Sequence, residues 1–293
     1  MLFIGCIANL VRIIGVLGLA VALAGCSAIK LGYNSMPQVG AWWLDGYLDL
    51  PGDQEQRVRE DLSRLHQWHR RQELPKISAL LQQAERMVAS ALTADELCAL
   101  VPPIRLRVAA VADQAEPAAV TMALALQPEQ LTHLQRKYEK NIREYRKDWV
   151  DLPIQDLRDK RFKQYVDRLE TFYGRLDDSQ RDVIRGQIVR GVFSAETNLR
   201  ERQRGQQDIL QTLRQLAGQP VSLPDARSAI HQLVQRTLRS PDPTYRSYED
   251  ALVRQGCGNL AAVHQSTTPQ QRQNALRRIR AYQRDLEELA AEP

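Results

Sequence analysis

Apolar side chains recur at helical spacing along almost the whole chain after residue 53. Leu131, Leu134, Tyr138 and Ile142, for example, are three or four positions apart and therefore share one helix face. No segment alternates apolar and polar residues as a half-buried strand would. The pattern predicts an all-α protein, built as an extended multi-helix assembly with long helices.

Prolines and capping residues predict where these helices begin and end. Pro75 is expected to end or kink a helix, and Thr93 with Glu96 forms a capping box that starts another. A long helix is predicted from about 128 to 149. After Asp177 the helical pattern continues to about residue 217, which predicts a single helix roughly 55–60 Å long.

The pattern before residue 26 is of a different kind. Every residue from 13 to 25 is apolar or glycine, and Arg12 is the only charged residue before them. Such a run is shorter than the about 20 residues that span a membrane, but it suits the apolar region of a signal peptide. It ends in a motif that resembles the lipobox of bacterial lipoprotein precursors: Leu23, Ala24, Gly25 and Cys26.

This resemblance implies a cellular location for the protein. Residues 1–25 would be a cleaved lipoprotein signal peptide, and Cys26 would carry a covalent lipid such as palmitate, the one non-protein group that we expect. Ser27, the next residue, is typical of lipoproteins sorted to the outer membrane, facing the periplasm. An ordinary signal peptide or an uncleaved N-terminal anchor is the alternative.

The same features predict the organisation of the chain. Residues 26–52 form a lipid-anchored, aromatic-rich segment, and residues 53–293 form a helical domain. Whether that domain divides into two subdomains near 150–180 stays open.

The small net charge of the chain bears on the kind of partner it binds. The whole chain has a formal net charge of +5, which removal of Arg12 reduces by one, so nucleic acid is not an expected partner.

Cys98 and Cys257 remain after Cys6 leaves with the leader and Cys26 is modified. In an oxidising compartment such a pair favours a disulfide, although two buried free thiols are the alternative.

The densest aromatic cluster is Trp42, Trp43 and Tyr47. Trp43 and Tyr47 are four residues apart and would share a helix face. The cluster is a candidate contact with a protein partner or with the membrane interface. The alternative is a core anchor that locks the N-terminal segment to the bundle.

Candidate catalytic chemistry is sparse. His66 and His69 are three residues apart and Glu73 follows four later, which is the one place where a helical enzyme site is conceivable. Zinc normally needs three or four protein ligands, and no third ligand is evident. His133, His231 and His264 stand alone. We therefore predict no catalytic residues, no metal site and no further cofactor.

Several helices begin with variants of one five-residue pattern, Leu-Thr-x-x-Gln. They are Leu92–Glu96, Leu126–Gln130, Leu176–Gln180 and Thr267–Gln271. The pattern resembles a motif of helical periplasmic stress chaperones and adaptors, which carry two copies. Generic helix capping is the alternative explanation.

Taken over most of its length, the chain resembles an uncharacterised proteobacterial family of all-helical outer-membrane lipoproteins. The lipobox carries this resemblance together with segments 33–34, 42–47, 68–70, 146–149, 173–176 and 266–269. The resemblance implies a fold and a cellular location but no mechanism. Three functions stay open: a binding protein that is chaperone- or adaptor-like, a structural envelope component with one fixed partner, and a helical enzyme near His66, His69 and Glu73.

Overall fold

A computed structural model describes residues 25–218 and 220–292. Throughout this part of the chain the secondary structure is helical, and the predicted all-α class is confirmed. The predicted leader up to residue 24 and the side chain of Cys26 lie outside the described residues, so cleavage and lipidation stay predictions.

The helices follow one another with short connections. The first seven are α1 (Gly25–Asn34), α2 (Met36–Leu48), α3 (Gly52–Gln72), α4 (Leu74–Val88), α5 (Ala94–Ala99), α6 (Val101–Ala125) and α7 (Pro128–Tyr145). A π-helical turn, Arg146–Val150, continues α7. Then come α8 (Ile154–Tyr173), α9 (Asp178–Val189), α10 (Ala195–Ala217), α11 (Leu223–Leu238), α12 (Pro243–Gln265) and α13 (Pro269–Ala291).

Two of the predicted helix boundaries are confirmed. Pro75 lies in the first turn of α4, directly after the end of α3. The Thr93 hydroxyl accepts a hydrogen bond from the Glu96 amide, and the Glu96 carboxylate accepts one from the Thr93 amide. This is the predicted capping box.

The single long helix predicted up to residue 217 is wrong, because the chain breaks between α9 and α10. A Cβ atom at Gly191 would lie 3.2 Å from the carbonyl oxygens of both Gln187 and Ile188, so glycine suits this tight exit. Ser194 then starts α10, since its hydroxyl accepts a hydrogen bond from the Thr197 amide.

The apolar core is divided into three clusters rather than gathered in one. The first includes Ala41, Val58 and Leu134; the second includes Val166, Ile184 and Val263; the third includes Val120, Ala226 and Ile230. Leu213 packs against both the first and the third cluster, so these two are adjacent.

Two buried pairs of glutamines join helix starts that are far apart in sequence. Gln54 in α3 donates to the carbonyl oxygen of Ala125, and Gln130 in α7 donates to the carbonyl oxygens of Leu48 and Asp49. The two side chains also bond each other at 2.9 Å.

The second pair repeats this arrangement. Gln180 in α9 donates to the carbonyl oxygen of Ser266, and Gln271 in α13 donates to that of Arg175. Their side-chain amides are again bonded to each other, at 2.8 and 2.9 Å.

The helices around the two pairs are arranged alike. In the first module α2 packs on α3 and α7, and α3 packs on α6; in the second, α8 packs on α9 and α13, and α9 packs on α12. The chain therefore contains two four-helix modules with the same contact arrangement around a glutamine pair. The segment Leu50–Gln54 is a copy of the five-residue pattern that the sequence analysis missed, whereas Leu92–Glu96 caps a helix without such a partner.

Among the described residues, none of the helices is both long enough and apolar enough to cross a membrane.

Candidate binding surface

The first seven turns of the described chain carry an exposed apolar stripe. Backbone hydrogen bonds from Ser35 to Leu31 and from Val39 to Ser35 continue α1 into α2. The outward side chains, which we call the N-terminal stripe, are Leu31, Met36, Val39, Trp42 and Trp43. Trp42 is 73% exposed and Trp43 is 53% exposed, so the core-anchor interpretation is wrong for both tryptophans.

Tyr47 differs from the two tryptophans because it ties α2 to α7. Its hydroxyl accepts a hydrogen bond of 2.8 Å from Asn141, and its ring packs against the first core cluster. The Trp43 and Tyr47 rings lie 4.6 Å apart, and the Lys137 ammonium is 5.4 Å from the centre of the Tyr47 ring. Tyr47 thus fixes the position of Trp43.

The inner side of α2 forms one wall of an apolar cleft of about 500 Å³. The other walls come from α3, α6, α10 and α11. The cleft is lined mainly by aliphatic side chains, among them Leu44, Leu48, Leu62, Met122, Ile230 and Val234. Asp61 and Arg64, which form an ion pair, are the charged residues of its lining. Its size and lining are those of sites that bind apolar groups.

His66 and His69 hold α1 against the body of the protein. The Nε2 atom of His66 lies 3.0 Å from the carbonyl oxygen of Tyr33, and Nδ1 of His69 lies 3.0 Å from the Tyr33 hydroxyl. Arg70 adds a bond of 2.9 Å to Glu292 at the end of α13. The histidines therefore clamp the helix that follows Cys26.

Glu73 does not join the two histidines in a common centre. Its carboxylate is fully buried and pairs with Lys76 at 2.7 Å and with Arg107 at 3.2 Å. His66, His69 and Glu73 are thus each bonded elsewhere, and their arrangement does not support the helical-enzyme hypothesis.

We expect the clamp to weaken in mild acid. Burial lowers the pKa of His66 and of His69 below the ordinary 6.5. A histidine whose folded pKa is depressed contributes stability above pH 6.5, and this is lost as the pH falls through the folded pKa. Urea unfolding should therefore give a lower free energy at pH 5.5 than at pH 7.5, with a smaller difference in a His66→Gln/His69→Gln double variant.

Gln67→Ala, at an exposed position between the two histidines, is the matched control for this experiment, and it should keep the pH dependence of the unchanged protein because it alters no ionisable group. His264, whose pKa is also lowered by burial, is present in all three proteins. A double variant that responds to pH as the unchanged protein does would show that the clamp contributes nothing to the acid response.

Cys98 and Cys257 form a disulfide bond, with 5.6 Å between their Cα atoms. The bond joins α5 to α12 across 159 positions of sequence. It lies far along the chain from the N-terminal stripe, and it connects the first half of the protein to the second module.

A second recess, of about 670 Å³, lies beside the π-helical turn. Its walls carry the rings of Tyr145, Trp149 and Phe193. Their faces are already taken by cations, because Lys160 lies 4.4 Å from the Trp149 ring centre and Arg161 4.3 Å from that of Phe193. The recess offers fewer free apolar faces than the cleft.

All three histidines predicted to stand alone have partners, and Nε2 of His133 lies 3.4 Å from the carbonyl oxygen of Gly46. His264 is buried and bonds the Tyr173 hydroxyl at 3.0 Å. His231 bonds Glu116 at 2.8 Å, and together with Asp113 these two residues form the one candidate metal-ligand group in the described residues. Sequence spacing hid this group because His231 is more than 110 positions from both carboxylates.

Comparison with known proteins yields a family but no function. Neither the curated proteins nor the solved structures contain a match to this chain. The profile of a family of unknown function, DUF6279, matches residues 46–237, about two-thirds of the sequence. The match begins inside α2, includes Tyr47 and most of the cleft, and ends inside α11. The chain therefore belongs to the DUF6279 family.

Proposed function

We propose that the protein is a lipid-anchored binding protein of the outer membrane that faces the periplasm. It holds apolar segments of other envelope proteins, in the manner of a chaperone or adaptor, and has no catalytic activity of its own. The observation that carries this proposal is the exposure of Trp42 and Trp43 on a helix fixed to the body of the protein.

Two exposed tryptophans on a fixed helix favour binding energetically. A tryptophan buries about 150–250 Å² when it is fully covered. Covering half of that area contributes about 2–3 kcal/mol per ring at 25 cal/mol per Å². Because α2 is held by Tyr47 and by the first core cluster, little conformational entropy is lost when a partner covers the rings.

The cleft enlarges the apolar surface that a client would meet. Leu44 and Leu48 line it from the same helix that exposes Trp42 and Trp43. An extended segment lying over the N-terminal stripe could place an apolar side chain in the cleft, one helix width away. This arrangement suits clients that are recognised by apolarity rather than by one sequence.

The glutamine pairs also support kinship with motif-bearing chaperones. Gln130, Gln180 and Gln271 do more than cap their helices, because each also bonds a second copy of the motif or its neighbouring backbone. Generic capping does not account for that reciprocity. The repeated pattern thus pairs helices in this chain, and the proposed likeness to periplasmic stress chaperones rests on the sequence motif.

A structural component with one fixed partner is the second candidate, and the rigid attachment of α1 favours it. Lys30 pairs with Glu288, and the Asn34 side-chain amide donates to the Glu292 carboxylate at 3.2 Å, so α1 is bound to the end of the last helix. A stripe held in one geometry suits a single complementary partner better than many different clients.

Photo-crosslinking in cells distinguishes the two candidates. A photoreactive residue at position 43 should give adducts with several outer-membrane and secreted proteins, identified by mass spectrometry. Position 223 is the matched control, since Leu223 is 54% exposed, belongs neither to the N-terminal stripe nor to the lining of the cleft, and should give few adducts. Palmitate labelling of the same cells should disappear in the Cys26→Ala variant.

Each alternative outcome has a definite meaning. One discrete adduct from position 43 would establish the fixed-partner candidate instead. Equal adduct patterns from positions 43 and 223 would overturn the stripe as a binding surface. Palmitate label that persists after Cys26→Ala would contradict the anchor.

A further inference from the structure

We propose that Asp113, Glu116 and His231 bind one divalent transition-metal ion. The ligand atoms of these three side chains all lie within 4.8 Å of one another. The Glu116 carboxylate and Nδ1 of His231 are 2.8 Å apart and come from different helices. Small side-chain rotations bring three such atoms around one ion, whose bonds to nitrogen and oxygen are about 2.0–2.2 Å long.

The backbone that carries these ligands is held by the third core cluster. Asp113 and Glu116 are one turn apart on α6, and His231 is on α11, which packs against α6. Val120 from α6 and Ile230 from α11 are both buried in that cluster. Ligands on two packed helices are positioned before a metal arrives, which favours binding.

The local charge also favours a cation. Two carboxylates three residues apart on a helix repel each other. Among the described residues, Glu116 has an ionic partner only in His231, which is charged only when it is protonated, and Asp113 makes no ion pair. A divalent ion would offset both negative charges, which the protein's own side chains do not.

Pro117, the residue after Glu116, lies inside α6. Proline has no amide hydrogen, so the helical bond from residue 117 to the carbonyl oxygen of Asp113 is missing. The hydrogen-bond ladder of α6 is therefore interrupted at the turn that carries the two carboxylates.

The ligand types indicate the class of metal. One imidazole with two carboxylates suits Zn²⁺ or Mn²⁺ better than Ca²⁺, which takes oxygen ligands almost exclusively. Three protein ligands leave a coordination position for water or for a group from a partner.

The proposed metal site lies next to the apolar cleft. Gln114 and Pro117 on α6 and Ile230 on α11 line the cleft and are next to the metal ligands in sequence. An ion that joins α6 to α11 would fix two walls of the cleft together. The metal ligands belong neither to the N-terminal stripe nor to the lining of the cleft, so metal binding can be tested separately from client binding.

Zn²⁺ binding by the chelator-treated full chain tests the proposal. Equilibrium dialysis should show one Zn²⁺ per chain, and the thermal midpoint should rise with Zn²⁺. Loss of a group that merely orients a ligand already weakens metal binding about 10- to 100-fold. Glu116→Gln and His231→Gln should therefore each weaken binding by about 100-fold or more, and His133→Gln should not.

A gain-of-affinity variant and a spectrum complete the test. Asp113→His should tighten Zn²⁺ binding, because imidazole is a better zinc ligand than an exposed carboxylate. Co²⁺ in place of Zn²⁺ should give visible absorption bands that disappear in His231→Gln. The absence of saturable Zn²⁺ binding below millimolar concentration would overturn the proposal, as would unchanged affinity in correctly folded Glu116→Gln and His231→Gln proteins.

Discussion

Replacing Cys98 and Cys257 together by serine will lower the free energy of unfolding by about 5 kcal/mol. The disulfide closes a loop across 159 sequence positions, and the entropy that such a cross-link removes from the unfolded chain grows with loop length. For a protein of this size the thermal midpoint should fall by roughly 10–20 °C. Calorimetry and urea unfolding of the unchanged protein and of the variant, both without reductant, measure the difference.

The reduced form of the unchanged protein is the control for this prediction. Its stability should match that of the Cys98→Ser/Cys257→Ser variant, since both lack the cross-link. A double variant as stable as the oxidised protein would mean that the unfolded state is restricted by something other than the disulfide. Crosslinking from position 43 should be unaffected, because the bond does not contact the N-terminal stripe.

Local signals predicted the helices and several of their ends. Thr93 with Glu96 and Pro75 act through neighbours only a few positions away, so their effects can be worked out without the fold. The one large error, the unbroken helix up to residue 217, arose at Gly191. There a close backbone approach decides the outcome, and apolar periodicity carries no information about it.

The candidate sites are formed by contacts that cannot be derived from the spacing of residues in the sequence. Whether Trp42 and Trp43 are buried is decided by where α2 meets α7, and a period of 3.6 residues fits both outcomes. The metal-ligand group joins residues of α6 and α11, more than 110 positions apart. The same distance effect concealed the role of Gln54, whose partner is 76 positions away.

The two modules differ in how much apolar surface they expose. In the first module α2 has one face in the core and its other face exposed as part of the N-terminal stripe. In the second module the equivalent helix, α8, exposes Ile154 and Phe172 at its two ends, and its large apolar residues between them are not exposed. The first module therefore carries the larger exposed apolar surface on this helix, and there we propose client binding.

The second large effect is expected from Gln180→Leu, which should lower the free energy of unfolding by about 4 kcal/mol. The leucine removes the four hydrogen bonds of the Gln180 side chain: those with the Asp177 amide and the Ser266 carbonyl oxygen, and the two with Gln271. Each such bond contributes about 0.5–1.5 kcal/mol to stability. Urea unfolding followed by circular dichroism measures the change.

A double-mutant cycle with Gln271→Leu separates the pairing from the individual losses. Because the first substitution already breaks the bonds between the two amides, the double variant should lose less than the two single variants added together. Gln270→Leu, at an exposed neighbouring position, is the matched control and should change stability by less than about 0.5 kcal/mol. Strict additivity of Gln180→Leu and Gln271→Leu would refute the reciprocal pair as a coupled unit, and with it the structural basis for comparing the two modules.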